Sequence, residues 1–296
     1  MIFSDVFPDS KILAAFKQFE LIYHSIMEGL SSGLHKSPYK GFAIEFAEHR
    51  QYYPGDDIKH IDWKLVGKLE KYYIKQYEED TSLHACILLD ASGSMEYSTA
   101  KYSKLDYAKF IAGVMSYILI QQKDSVSFIS FDTETKKQIP PGSSRKHFRK
   151  IMETLAETRS GGETNLGKVL HRLADSMKKR AFIILISDFF DNPEEIDLAL
   201  SHFSSKKYEV AVFQVLDKNE IEFNFSAPTR FLYMESDDAI FTEPQKIRKE
   251  YLKEFEKHGR SLRRNCHKMR IDFNRFIPSS PFEKTMADYL AERMKK

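Results

Sequence analysis

Cysteine is nearly absent from this chain: Cys86 and Cys266 are the only two thiols in 296 residues. One lies in an apolar run and the other in a distant basic stretch, which excludes a disulfide framework and predicts reduced thiols in the cytoplasm. No apolar run approaches the ~20 residues needed to cross a bilayer, so no membrane span is expected. The N-terminus lacks the basic and apolar regions of a signal peptide, which also predicts a cytoplasmic protein. Charge of one sign is missing too. Its 45 basic and 43 acidic residues leave a formal charge of +2, which argues against a global field for nucleic acid. The ten histidines include no His-Glu-x-x-His spacing, so nothing marks them as zinc ligands.

What is present is enough apolar mass for a real core: 42% of residues, with 23 Phe and 15 Tyr. Residues 10–31 read as one or two helical segments. From Gly41 to Tyr77 aromatics and charges alternate around Pro54-Gly55, predicting short strands and turns. Residues 83 to 216 then alternate apolar strands with helical stripes. The strands are 83–89, Val126–Phe131, Ala181–Ile186 and Val210–Val215, with an edge strand at 135–139. Ser103 and Asp106 form a capping box, and Asn192-Pro193-Glu194-Glu195 reads as a second helix start. The pattern predicts an α/β fold: a doubly wound, mostly parallel sheet flanked by helices. Phe231–Glu235 is read as a last strand, 243–264 as a charged helix, Phe273–Ile277 as an extended piece and Pro281–Met294 as a closing helix. The expected division is an N-terminal strand- and turn-rich accessory region at 1–80, the α/β domain at 81–240, and a C-terminal helical extension packing on it at 241–296.

Three loops at the predicted strand ends carry oxygen donors. The first supplies Asp90, Ser92 and Ser94; the second, after Gly161-Gly162, supplies Thr164; the third supplies Asp188. Two carboxylates and three hydroxyls, with no sulfur or imidazole, suit a hard cation. The competing reading is that the two acids merely cap local turns, with the hydroxyls bonding loop backbone. The set Asp90-x-Ser92-x-Ser94, Thr164 and Asp188 resembles the metal-ion-dependent adhesion site of von Willebrand factor A domains over about residues 81–235. That resemblance implies Mg²⁺ or Mn²⁺ held by the three hydroxyls directly or nearly so, and by Asp90 and Asp188 mainly through waters. It also implies a coordination position open to an acidic side chain of a protein partner.

Upstream, Arg50, Tyr52-Tyr53-Pro54-Gly55-Asp56-Asp57, Lys59 and Ile61-Asp62-Trp63, with Glu45 before them, resemble the signature of the bacterial family called domain of unknown function 58. Lys59 stands where the family often has Arg. Two uses are open for this segment: a scaffold in which Ile61 and Trp63 anchor the loop to a core, or a partner surface formed by Arg50, Asp56, Asp57, Asp62 and Trp63. Members of that family resemble companions of MoxR-type AAA+ ATPases, which implies a non-enzymatic adaptor or co-chaperone.

Two other functions compete with that reading. One is a Mg²⁺-dependent hydrolase using a cation-bound water, for which Glu163 or the site acids would be the base. The other is RNA binding through Arg260, Arg263, Arg264, Lys268 and Arg270, which the interspersed Glu250, Glu254 and Glu256 argue against. Gly162–Lys168 mimics a P-loop, but Val169 stands where a hydroxyl is needed, which rules out nucleotide binding there.

Overall fold

The computed structural model describes residues 43–53, 61–69, 72–80, 83–99, 102–162, 165–177, 181–232 and 239–293. The helical reading of 10–31 lies outside them. The chain divides into two compact units, Leu34–Leu83 and the remainder. In the first, strand β1 (Ala43–Gln51) and helix α1 (Trp63–Leu69) precede β2 (Tyr73–Asp80). The two strands pair antiparallel, from Ala43 opposite Asp80 to Gln51 opposite Tyr73. Strands and turns were expected here, and α1 is an addition. Ile61 bridges to Ile74 and both are buried. Trp63 is 65% exposed, so Ile61 anchors this turn and Trp63 does not. Ile61 is held by its bridge to β2, whereas Trp63 opens α1.

The second unit begins with β3 (His84–Asp90) and a 3₁₀ turn at Gly93–Glu96, followed by α2 (Lys104–Gln121), β4 (Ser125–Phe131) and β5 (Thr135–Gly142). It continues through α3 (Arg145–Glu157), α4 (Leu166–Ser176), β6 (Phe182–Ser187), α5 (Pro193–Ser205) and β7 (Glu209–Val215). Last come α6 (Lys218–Glu222), the strands β8 (Thr229–Leu232) and β9 (Ala239–Thr242), α7 (Pro244–Lys268), β10 (Asp272–Phe276) and α8 (Phe282–Arg293). Six strands form one sheet in the order β10-β7-β6-β3-β4-β5, and only β5 runs antiparallel. This is the α/β fold that the strand and helix pattern called for.

The period-2 geometry of the strands splits the apolar runs between two faces. Cys86, Leu88, Ile183, Leu185 and Val212 turn to a core closed by α4, α5 and the end of α7. On the other face Phe213 packs on Tyr289 of α8, and Phe110 of α2 on Phe282. Burial on both sides is why these strands read as unbroken hydrophobic runs. It also explains the thiols, which burial pushes up to about 12, leaving them protonated and inert. Both expected caps are present. Ser103 accepts from the Asp106 amide at 3.1 Å, and Asn192 accepts from that of Glu194 at 2.9 Å.

The last strand of the sheet is not where it was expected. β8 covers the start of Phe231–Glu235 but pairs with β9 in a separate hairpin, and 233–235 lie outside the described residues. Phe231 faces inward there, stacking on Phe223 at 5.7 Å and meeting Phe225 edge-on. The sixth place belongs to the extended piece near 273–277, as β10. No helix among the described residues is long and apolar enough to cross a membrane.

Candidate functional site

From β3 the chain moves outward to β4 and β5, then returns to β6 on the other side of β3 and moves outward again. A sheet of this kind opens a crevice at the carboxyl ends of the two strands where the order reverses. Those strands are β3 and β6. Asp90 ends the first and Asp188 follows the second, both almost fully buried.

Each carboxylate uses one oxygen in its own turn. Asp90 Oδ1 accepts from the Ser92 amide at 2.9 Å, and Asp188 Oδ1 from the Phe190 amide at 3.0 Å. The turn-capping reading is therefore correct for one oxygen of each. The other oxygens face neighbouring strands and helices. Asp90 Oδ2 accepts from Ser187 Oγ at 2.6 Å, and Asp188 Oδ2 accepts from the Lys104 ammonium at 2.7 Å. The Ser92 and Ser94 hydroxyls lie 3.1 Å apart on the 3₁₀ turn. Phe189, between the two engaged residues, is buried with φ near +60°, a left-handed conformation seldom held by a bulky side chain. Burial, and then the charge of Asp188, push the Asp90 carboxyl up to about 7. Two buried carboxyl groups beside a pair of hydroxyls are an all-oxygen donor set that fits a hard divalent cation.

Thr164 and Glu163 lie outside the described residues, but the loop that leads to them docks on this site. The Gly161 amide donates to the Ala91 carbonyl at 3.0 Å, and the Gly93 amide to the Gly162 carbonyl at 3.1 Å. Gly162 has φ +82°, and a Cβ there would meet Asp132 Oδ2 at 2.6 Å. Gly162→Ala is therefore expected to destabilise the protein by ~1–3 kcal/mol, through positive φ and overpacking. Urea unfolding with an unchanged midpoint would refute this.

Of the proposed partner surface, Asp56 and Asp57 lie outside the described residues. Arg50 sits on β1 opposite Ile74. Asp62 is nearly buried and accepts from the Leu65 amide at 3.3 Å, so its carboxylate caps α1. Trp63 is exposed.

Sequence reasoning missed Lys104 and Glu220. Lys104, 1% exposed, bonds Asp188 and, at 2.6 Å, Glu220 Oε1. Burial opposes its charge, but the two carboxylates outweigh it and hold the ammonium's pKa above the usual lysine value. One signal was readable: a lysine just after the N-cap of a helix sits against the dipole, where acids are preferred. Beside Asp188, an apolar cleft of about 340 Å³ is lined by Phe190, Tyr251, Glu254, Phe255 and His258.

A family model described as "Protein of unknown function DUF58" matches residues 48–261. The chain belongs to that family. Among curated relatives, the DUF58 chain is 24% identical over 217 residues to the uncharacterized protein Rv1480 of Mycobacterium tuberculosis (strain ATCC 25618 / H37Rv). The match covers 72% of this chain and 68% of the relative. The uncharacterized protein Mb1516 of Mycobacterium bovis matches to the same extent. Similar solved structures include the conserved hypothetical protein BatB from Bacteroides thetaiotaomicron, 18% identical with a TM-score of 0.47, covering 73% of this chain and 100% of that one. The SpRpn10 VWA domain is 8% identical with a TM-score of 0.40, covering 71% and 95%.

Proposed function

We propose that this DUF58 protein is a metal-dependent protein-interaction module. Asp90, Ser92, Ser94, Thr164 and Asp188 would hold Mg²⁺ or Mn²⁺, and an acidic side chain of a partner would complete the shell. The supporting observation is the paired buried carboxylates at the strand-order reversal, with Ser92 and Ser94 beside them. A hard cation that keeps waters can exchange one for an outside carboxylate. The chain's own part is to hold Asp90 between the Ser92 amide and the Ser187 hydroxyl, so that the donors stay aligned. Of the bases the hydrolase reading would need, Asp90 is 1% exposed with both oxygens engaged, a poor arrangement for a general base, and Glu163 lies outside the described residues. Of the basic residues put forward for RNA, Arg260 pairs with Glu256 on α7, as Lys253 and Lys257 nearby pair with Glu250 and Glu254, so acids intersperse the basic face and no observation favours RNA binding.

The partner we favour is a MoxR-type AAA+ ATPase, for which this chain would be an adaptor or co-chaperone. Titration calorimetry with MgCl₂ is expected to show binding to the parent and none to Asp90→Ala, with unchanged circular dichroism. Retention of a purified ATPase of that type in Mg²⁺, and its release by EDTA, tests the partner. Undiminished Mg²⁺ affinity in Asp90→Ala would remove the site, and retention indifferent to EDTA would remove the metal's role in docking.

A further inference from the structure

Lys104 occupies a place that local physics disfavours twice over. It opens α2, where unpaired amide dipoles repel a positive charge, and its ammonium is withdrawn from water. An apolar residue would serve helix and core better, so the ammonium calls for a reason outside packing. Its surroundings hold it in one position. Asp188 Oδ2 lies at 2.7 Å and Glu220 Oε1 at 2.6 Å, and the ring centroids of Phe190 and Tyr97 lie at 5.1 and 5.8 Å. Glu220 is itself fixed, because its other oxygen accepts from the Asp217 amide at 2.7 Å. Asp217 in turn accepts from the Thr99 amide at 3.0 Å and from the Thr99 hydroxyl. The ammonium therefore joins the loops that follow β3, β6 and β7.

We propose that Lys104 sets the affinity of the Asp90–Asp188 site for divalent cations. Its ammonium, shared with Glu220, offsets part of the Asp188 charge, so an ion among Asp90, Ser92 and Ser94 meets less than the charge of two carboxylates. The consequence is weaker binding than the donor set alone would give, and an ion left electron-poor enough to accept a partner's carboxylate. This inference rests on the metal-binding reading above and goes further by naming the residue that tunes it.

Two changes separate this role from a structural one. Glu220→Gln removes one of the two anions on the ammonium, leaves its charge to Asp188, and should weaken divalent binding. The pair Lys104→Met with Glu220→Gln replaces both ions by neutral groups of similar length and frees Asp188 Oδ2, leaving the buried Asp188 carboxylate to be matched by the divalent cation. Although net charge is unchanged, the cation removed touches Asp188 while Glu220 reaches Asp188 across that cation. Mg²⁺ and Mn²⁺ should then bind at least about tenfold more tightly than to the parent. The measurement is calorimetric titration of the full chain with MgCl₂ and MnCl₂, after circular dichroism has confirmed folding. Opposite shifts in the two variants support the proposal, because a merely structural lysine would make both bind more weakly. Equal affinities in all three proteins, or weaker binding in the double variant, overturn it and leave the metal site standing. No binding heat in any of the three removes the metal site and this inference together.

Discussion

Asp90→Asn is expected to be more stable than the parent at pH 8 and indifferent to Mg²⁺. Burial, reinforced by Asp188, holds the native Asp90 carboxyl near 7, while in the unfolded chain it returns to ~3.9. Between those values the native protein retains a proton that the unfolded chain has released. Parent stability therefore declines as pH rises from about 4 to about 7, and the whole penalty persists above that. An asparagine is neutral throughout. It can still accept from the Ser92 amide, and its NH₂ can donate to the Ser187 hydroxyl. The advantage of the variant should vanish near pH 4 and grow to at most ~4 kcal/mol by pH 8. Added Mg²⁺ should raise the melting temperature of the parent, since an ion that binds only the native state stabilises it, and leave the variant unmoved. Melting curves from pH 4 to 8, with and without MgCl₂, decide the matter. A variant less stable than the parent at pH 8, or one that keeps the Mg²⁺ shift, contradicts this account of the site.

Phe213→Ala should lower unfolding free energy by ~3–5 kcal/mol, the loss for a fully buried aromatic. Phe213 on β7 packs 5.1 Å from Phe276 of β10 and edge-on, at 4.9 Å, against Tyr289 of α8. The Leu216 amide also donates to the Phe276 carbonyl at 3.0 Å, so the C-terminal segment completes the sheet edge. Phe276→Ala should produce a comparable loss in the same single transition during urea unfolding. A separate early transition in Phe276→Ala would show that the residues after α7 form an appendage and not part of this core.

The legible and illegible parts of this chain follow its burial. β3, β4, β6 and β7 announce themselves because both faces are covered, and each apolar run ends within two residues at an aspartate: Asp90, Asp132, Asp188 or Asp217. β10 does not, because Asp272–Phe276 is an edge strand whose first four residues are only half-buried, and its polar side chains hide the pattern. Phe231 misled for the opposite reason, since an aromatic cluster outside the main sheet looks locally like a core strand. Trp63 also misled: large and apolar, it suggested an anchor, whereas Ile61 fills that place.

The two capped helices and the buried strands were determined by local order, because hydrophobic period, N-caps and turn chemistry act within a few residues of chain. The same holds for the pairing of Asp90 with Ser92 and Ser94, whose spacing is short enough to form one turn. Only the tertiary structure decided which acids would meet. Four strands end near buried aspartates, and β4 and β6 both flank β3, yet the tertiary structure brings the charge of Asp188, after β6, to bear on Asp90. It alone sets Lys104 between Asp188 and Glu220, which stand 84 and 116 positions from it in sequence. Charges so far apart along the chain interact only once strand order and crossover handedness have made them neighbours, and no window of local sequence contains that information.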